Sequence, residues 1–131
     1  MEIINVLVAA AAAWVFGAIW YMALSKPWMA AAGIEVGADG KPANGSDPLP
    51  YILSAIAMIL VAGMMRHVIS QAAIDTLLKG LMTGGGIGLF MISPWIMINN
   101  AYGDKPFKLT LIDGGYATFG SAIIGVILVL F

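Results

Sequence analysis

Residues 80–103, GLMTGGGIGLFMISPWIMINNAYG, run for 24 positions without a charged side chain. A helix rises about 1.5 Å per residue, so about 20 apolar residues cover a hydrocarbon core of about 30 Å. The stretch is long enough to cross a bilayer, and it is continuously apolar rather than alternating as a barrel strand would be. Three further runs match it. Residues 3–25 and 48–65 carry no charge and 109–131 carry only Asp113, over 23, 18 and 23 residues. The expected architecture is all-α: an integral membrane bundle of four transmembrane helices with short connections. It forms a single domain over residues 1–131, with spans at about 3–25, 49–67, 77–102 and 109–131.

Composition supports this reading. Of 131 residues, 61% are hydrophobic and 10% charged, and the mean hydropathy is +0.95. A soluble domain has about a quarter of its residues charged, so the few charges here cannot wet a whole surface. Six basic against seven acidic residues provide no basic face for nucleic acid. The chain has no cysteine, which excludes disulfides, thiolate metal sites and cysteine nucleophiles. The first run starts with Glu2 and no positive residue, and it exceeds the about 7–15 apolar residues of a cleaved signal core. It is expected to be a retained helix.

Local signals place the ends. Lys26-Pro27-Trp28 is expected to stop the first helix, because proline disfavours helical geometry in the residue before it. Residues 33–48, rich in Gly, Pro, Asn and Asp, read as a polar loop, and Pro48 and Pro50 suit a helix start. The second helix runs past Met65 into Arg66 and His67, and Asp75 and Lys79 bracket the start of the third. Asp104-Lys105-Pro106 turns into the last helix, which continues to Phe131. Both termini then share one membrane side with the 66–79 link. Lys26, Lys41, Lys105 and Lys108 lie on the loop side against Arg66 and Lys79 on the other. The positive-inside rule favours cytoplasmic loops and outward termini.

Helices in lipid gain nothing from hiding apolar surface, so close backbone approach must hold them together. Small residues recur at four-residue spacing: Ala9, Ala13 and Gly17 on the first helix, Ala55 and Gly63 on the second with Ser54 and Ala62 beside them. The third carries Gly80, Gly84 and Gly88, and the fourth Ala117, Ser121 and Gly125. These ridges are expected to pack within the molecule, with contact between copies as the alternative. Gly84-Gly85-Gly86 lacks the Lys-Ser/Thr of a phosphate loop and would lie in the membrane.

Aromatic residues gather towards the loop side: Trp20, Tyr21, Trp28, Tyr51, Trp95, Tyr102, Phe107 and Tyr116. An interfacial belt accounts for most of them, although Trp95 lies about two turns in from Gly103. Asn99, Asn100 and Asp113 cluster at the same end, and Asp113 shares a helix face with Tyr116. An aspartate at a helix centre costs about 2.5–3.5 kcal/mol to insert and normally needs a partner. Asn99, Asn100, Tyr116, Lys26 and Lys108 are the candidates. Asn99, Asn100, Asp113 and Tyr116, with Trp20 and Trp95, then form either a polar pocket for a headgroup, ion or solute, or a hydrogen-bonded clasp fixing the hairpin. No catalytic set can be assembled. His67, the only histidine, is a poor metal site without cysteine or paired carboxylates and reads as interfacial.

Gly17-Ala18-Ile19-Trp20-Tyr21, followed by Lys26-Pro27-Trp28-Met29, resembles the first-helix signature of a family of small bacterial membrane proteins known as domain of unknown function 1761. The glycine ridge of the third helix is similar too, as is Lys108-Leu109 running into Ile112-Asp113-Gly114-Gly115-Tyr116. The resemblance covers nearly the whole chain. It implies four helices in a bacterial inner membrane, brings no established activity and implies no specifically acidic role for Asp113. The expected function is a non-catalytic accessory or scaffold subunit that self-associates or packs against a larger membrane complex. The alternative is a small transporter or binding protein for a solute or lipid, using the polar cluster at Asp113. No cofactor is required, though quinone, pigment or lipid could lie against the Trp and Tyr rings.

Overall fold

The computed structural model describes residues 2–130, and Phe131, to which the sequence carries the last span, lies outside them. The elements in chain order are α1 (Glu2–Ala23), α2 (Ser25–Ala32), α3 (Leu49–Gln71), α4 (Leu77–Ile87), a π-helical turn (Gly88–Ile92), α5 (Ser93–Tyr102) and α6 (Phe107–Leu130). The fold is all-α. Four helices are long and apolar enough to cross a membrane: α1, α3, the α4–α5 unit and α6. Large apolar side chains point outward on every one of them, among them Ile3, Leu60, Phe90 and Leu111. In water such a surface would aggregate; in lipid it is the solvated face.

Pro27 bends the chain instead of ending the first helix. Proline has no N–H for the carbonyl four residues earlier and its ring crowds that carbonyl, here that of Ala23. The break falls at Leu24, φ −107° and ψ 20°, and helix resumes as α2 with Pro27 in its first turn. Gly33 closes α2 at φ 71° with its N–H on the Met29 carbonyl, a left-handed cap that suits glycine. Lys105 Nζ donates to the Ala32 carbonyl at 2.9 Å, tying α2 to the turn before α6. Pro50 lies in the first turn of α3. Thr76 caps α4 by accepting the Lys79 N–H at 3.1 Å.

A second proline reshapes the third span. Pro94 cannot donate to Phe90, and the helix widens just before it into a π turn in which the Ser93 N–H reaches the Gly88 carbonyl. The Ser93 hydroxyl lies 2.7 Å from the same Gly88 oxygen and 3.1 Å from that of Gly114 on α6. The loosened turn is thus fastened to its neighbour.

α6 is the hub. It packs on α1, α3 and the α4–α5 unit. The core cluster draws Ala9, Ala10 and Ala13 from α1, Ala62, Met65 and Ile69 from α3, and Ile124 and Leu128 from α6. None of its fully enclosed members comes from the third span, which lies along the outside of α6 and meets α3 only slightly. The bundle is therefore three helices with a fourth laid on one of them.

That fourth contact is backbone on backbone. The ridges expected from the sequence meet in antiparallel register, Gly80 against Gly125, Gly84 against Ser121 and Gly88 against Ala117. A Cβ at Gly80 would stand 2.7 Å from the Gly125 carbonyl oxygen, and one at Gly84 would run into the Ser121 carbonyl. One at Gly88 would lie 2.6 Å from the Thr118 Cα. Gly86, two residues from Gly84, has nothing within 4 Å of a Cβ. Gly84→Ala should therefore lower stability in detergent by about 1–3 kcal/mol through overpacking. Gly86→Ala should leave the stability of the single chain unchanged or raise it by up to about 1 kcal/mol through helix propensity. Thermal or denaturant unfolding of the two variants checks the contrast.

Candidate functional site

The loop-side end of the three-helix core carries a dense aromatic cluster. Phe16, Trp20 and Tyr21 of α1 meet Tyr116 and Phe119 of α6, with Trp28 of α2 at the edge. Tyr21 packs edge-on to both Tyr116 and Trp28, at centroid distances of 5.5 and 5.8 Å. Phe16 stacks on Tyr116 at 6.1 Å, and Trp20 lies between Phe16 and Phe119 at 5.7 and 5.9 Å. Such pairs contribute about 0.5–1.5 kcal/mol each beyond their buried area.

Glycines make room for the rings. A Cβ at Gly17 would lie 2.8 Å from the hydroxyl of Tyr116, and one at Gly115 would lie 2.7 Å from Trp20 Cζ2. Gly17, expected on a helix-packing ridge, seats a ring rather than a neighbouring backbone. Gly63 departs from its expected ridge too, since nothing lies within 4 Å of a Cβ there. Ala62, one residue earlier, is the fully buried contact.

Hydrogen bonds tie the polar tips of Trp20, Tyr21 and Tyr116 across the helices. Tyr21 donates its hydroxyl to Asp113 Oδ1 at 2.6 Å. Trp20 Nε1 donates to the Ile112 carbonyl at 2.9 Å. The Tyr116 hydroxyl donates to the Ala13 carbonyl at 3.2 Å, with the Met58 sulfur 3.3 Å away. Further along α1, Trp14 Nε1 donates to Ser54 Oγ of α3 at 2.9 Å. The indole and phenol groups thus act as cross-braces between helices, each with an apolar body and a polar tip.

The six residues expected to share one site do not converge. Trp20, Asp113 and Tyr116 stand together. Asn100 donates to Thr110 Oγ1 at 3.2 Å, a separate clasp across the α5–α6 turn. Asn99 is exposed, and Trp95 is 68% exposed on the outer side of the third span. The helix period decides this: α5 meets α6 along one face only, and positions 95 and 99 are one turn apart on another.

The partner of Asp113 is Tyr21, which was outside the five candidates drawn from the sequence. The signal was present, because Tyr21 and Asp113 both lie near the loop side of their helices and the Gly114-Gly115 pair marks a close approach. Of the expected aromatic belt, Trp20, Tyr21, Trp28 and Tyr116 turn inward, while Tyr51, Trp95, Tyr102 and Phe107 face out. Among the described residues no group of three His, Asp or Glu side chains could hold a metal ion.

Tyr21→Phe removes the donor and leaves the half-buried carboxylate without it, a loss of about 1–3 kcal/mol or more for a charged group. Asp113→Asn keeps an acceptor oxygen at that place and should cost less. Combined, the two changes should be non-additive by about 0.5–3 kcal/mol, as expected for residues in contact. A double-mutant cycle of unfolding in detergent measures this coupling, and strict additivity would rule out the clasp.

No curated protein and no solved structure matches the chain. The family model described as a protein of unknown function, DUF1761, matches residues 4–129, which takes in all but the outermost residues of the spanning helices and the whole aromatic cluster. The chain belongs to the DUF1761 family.

Proposed function

We propose that this chain is a non-catalytic accessory or scaffold subunit of a bacterial inner membrane, and that it associates with itself through the outer face of its third span. One observation carries the reading: that span packs on α6 and leaves its other sides to the bilayer. Met82 and Phe90 are 65% and 74% exposed there, four residues to either side of Gly86. Gly86 has open space where a Cβ would be. A glycine inside a helix costs about 1 kcal/mol relative to alanine, and in lipid such a residue earns its place by close helix approach. Gly80, Gly84 and Gly88 do so within the molecule; a second copy would supply the equivalent for Gly86.

The chemistry at the loop end fits a structural role. Asp113 and Tyr21 are joined to each other, and His67 lies towards the opposite end of the bundle, so these groups form no acid–base set. The four-to-two excess of basic residues on the loop side supports cytoplasmic loops and outward termini.

The chain has no native cysteine, so an introduced one is unique. Met82→Cys and Phe90→Cys should form disulfide-linked dimers on mild oxidation of native membranes. Leu60→Cys, on the outer face of α3, should give at least several-fold less. Gentle-detergent extraction should yield a species larger than one chain. A lone monomer in detergent, together with no cross-link at positions 82 and 90, overturns the proposal.

A further inference from the structure

The carboxylate of Asp113 lies within the last span, and only one of its oxygens is engaged. Tyr21 donates to Oδ1 at 2.6 Å, and among the described residues nothing donates to Oδ2. Nor is Oδ2 enclosed; it reaches the molecular surface.

The chain gives this oxygen no counter-charge. Lys26 and Lys108, the two lysines expected to reach it, form no ion pair with it. The Tyr21 hydroxyl brings a proton to share but no positive charge. Ionisable groups inside a membrane are costly, normally pair, and mark the places where ions or substrates are met. Asp113 is six residues past Phe107, the first residue of α6, about 9 Å along the axis. The open oxygen therefore sits just inside the hydrocarbon, below the headgroups.

Its surroundings suit an organic cation rather than a metal ion. Ca²⁺ takes about six to eight oxygen ligands, and among the described residues no three acidic or histidine side chains come together. Aromatic rings stand there instead. Trp28 and Tyr116 pack on Tyr21 at centroid distances of 5.8 and 5.5 Å. Aromatic faces attract ammonium-type charges, more strongly where water is excluded, and they offer apolar substituents a surface to lie on. A zwitterionic headgroup would bring its phosphate beside the carboxylate and be repelled.

We infer that Asp113, with the rings of Tyr21 and Trp28, binds a monovalent lipophilic cation, a quaternary ammonium or phosphonium taken from the bilayer. Its charge lies against Oδ2 and its apolar groups against the rings. The two oxygens then divide the work: Oδ1 holds α1 through Tyr21, and Oδ2 receives the ligand. Asp113 meets α1, not the outer face of the third span, so this site stands or falls independently of self-association.

Equilibrium dialysis of the purified protein in a neutral detergent, with tritiated tetraphenylphosphonium, tests the inference. The unaltered chain should bind one tetraphenylphosphonium saturably, and excess dodecyltrimethylammonium should displace it. Asp113→Asn keeps an acceptor for Tyr21 and should fold, yet lose at least tenfold in affinity. Trp28→Leu should lose at least threefold. Asp104→Asn, at an exposed carboxylate of the same end, should leave affinity unchanged. Uptake by the unaltered chain that does not saturate overturns the inference. So does unchanged affinity in a folded Asp113→Asn or Trp28→Leu variant. A loss in Asp104→Asn equal to that in Asp113→Asn also overturns it, since overall charge would then account for the binding.

Discussion

The structure depends on a stretch where backbone touches backbone. In lipid the apolar surface of a helix is already solvated, so association must come from contacts that lipid tails cannot imitate. The third span and α6 meet without intervening side chains at Gly80, Gly84 and Gly88, and this contact is made only if every one of those positions lacks a Cβ. The register it sets has consequences further along. With Gly88 facing Ala117, the hydroxyl of Ser93 arrives at the Gly114 carbonyl and the side chain of Asn100 at Thr110. One steric rule fixes the depth of the polar groups at the loop-side end.

Hydrogen bonds complete what close packing begins. They contribute modestly to affinity between helices, about 0.6–2 kcal/mol each, but they are directional. Trp20 to Ile112, Tyr21 to Asp113 and Tyr116 to Ala13 join α1 and α6 at three successive levels. Small residues such as Ala9 and Ala13 would tolerate rotation of α1 about its axis; the three bonds do not. The aromatic cluster therefore orients α1, and α1 in turn carries Ile3, Val6 and Leu7 alongside Ile59 and Gly63 of α3 at the far end.

Spans and ridges were legible in the sequence because both depend on local composition: uncharged runs of bilayer length, and small residues every four positions. The pairing of Gly80, Gly84 and Gly88 with Gly125, Ser121 and Ala117 follows from a tight antiparallel hairpin. Other features depend on rotation about the helix axis, which a uniformly apolar sequence does not encode. Trp95 and Asn99 therefore looked like neighbours of Asp113 yet face outward, and Tyr21 went unpaired with its carboxylate. The two prolines were visible, but their effect was not. Pro27 marks a bend with helix on both sides, and Pro94 produces a π turn whose freed geometry Ser93 secures. Gly63 and Gly86 look identical to Gly84 in sequence, and only the packed structure separates a glycine in contact from one facing open space.

The two ends of the bundle are closed by different polar groups. At the loop end, the hydroxyl of Tyr21 and the carboxylate of Asp113 meet each other, and the indole of Trp20 meets a helix carbonyl. At the terminal end, Arg66 donates to the carbonyl of Leu128 in the last turn of α6. A cation at a helix C-terminus is favourable there. The contact that closes the end of α6 thus also ties α3 to it, at the end of the bundle opposite the aromatic cluster.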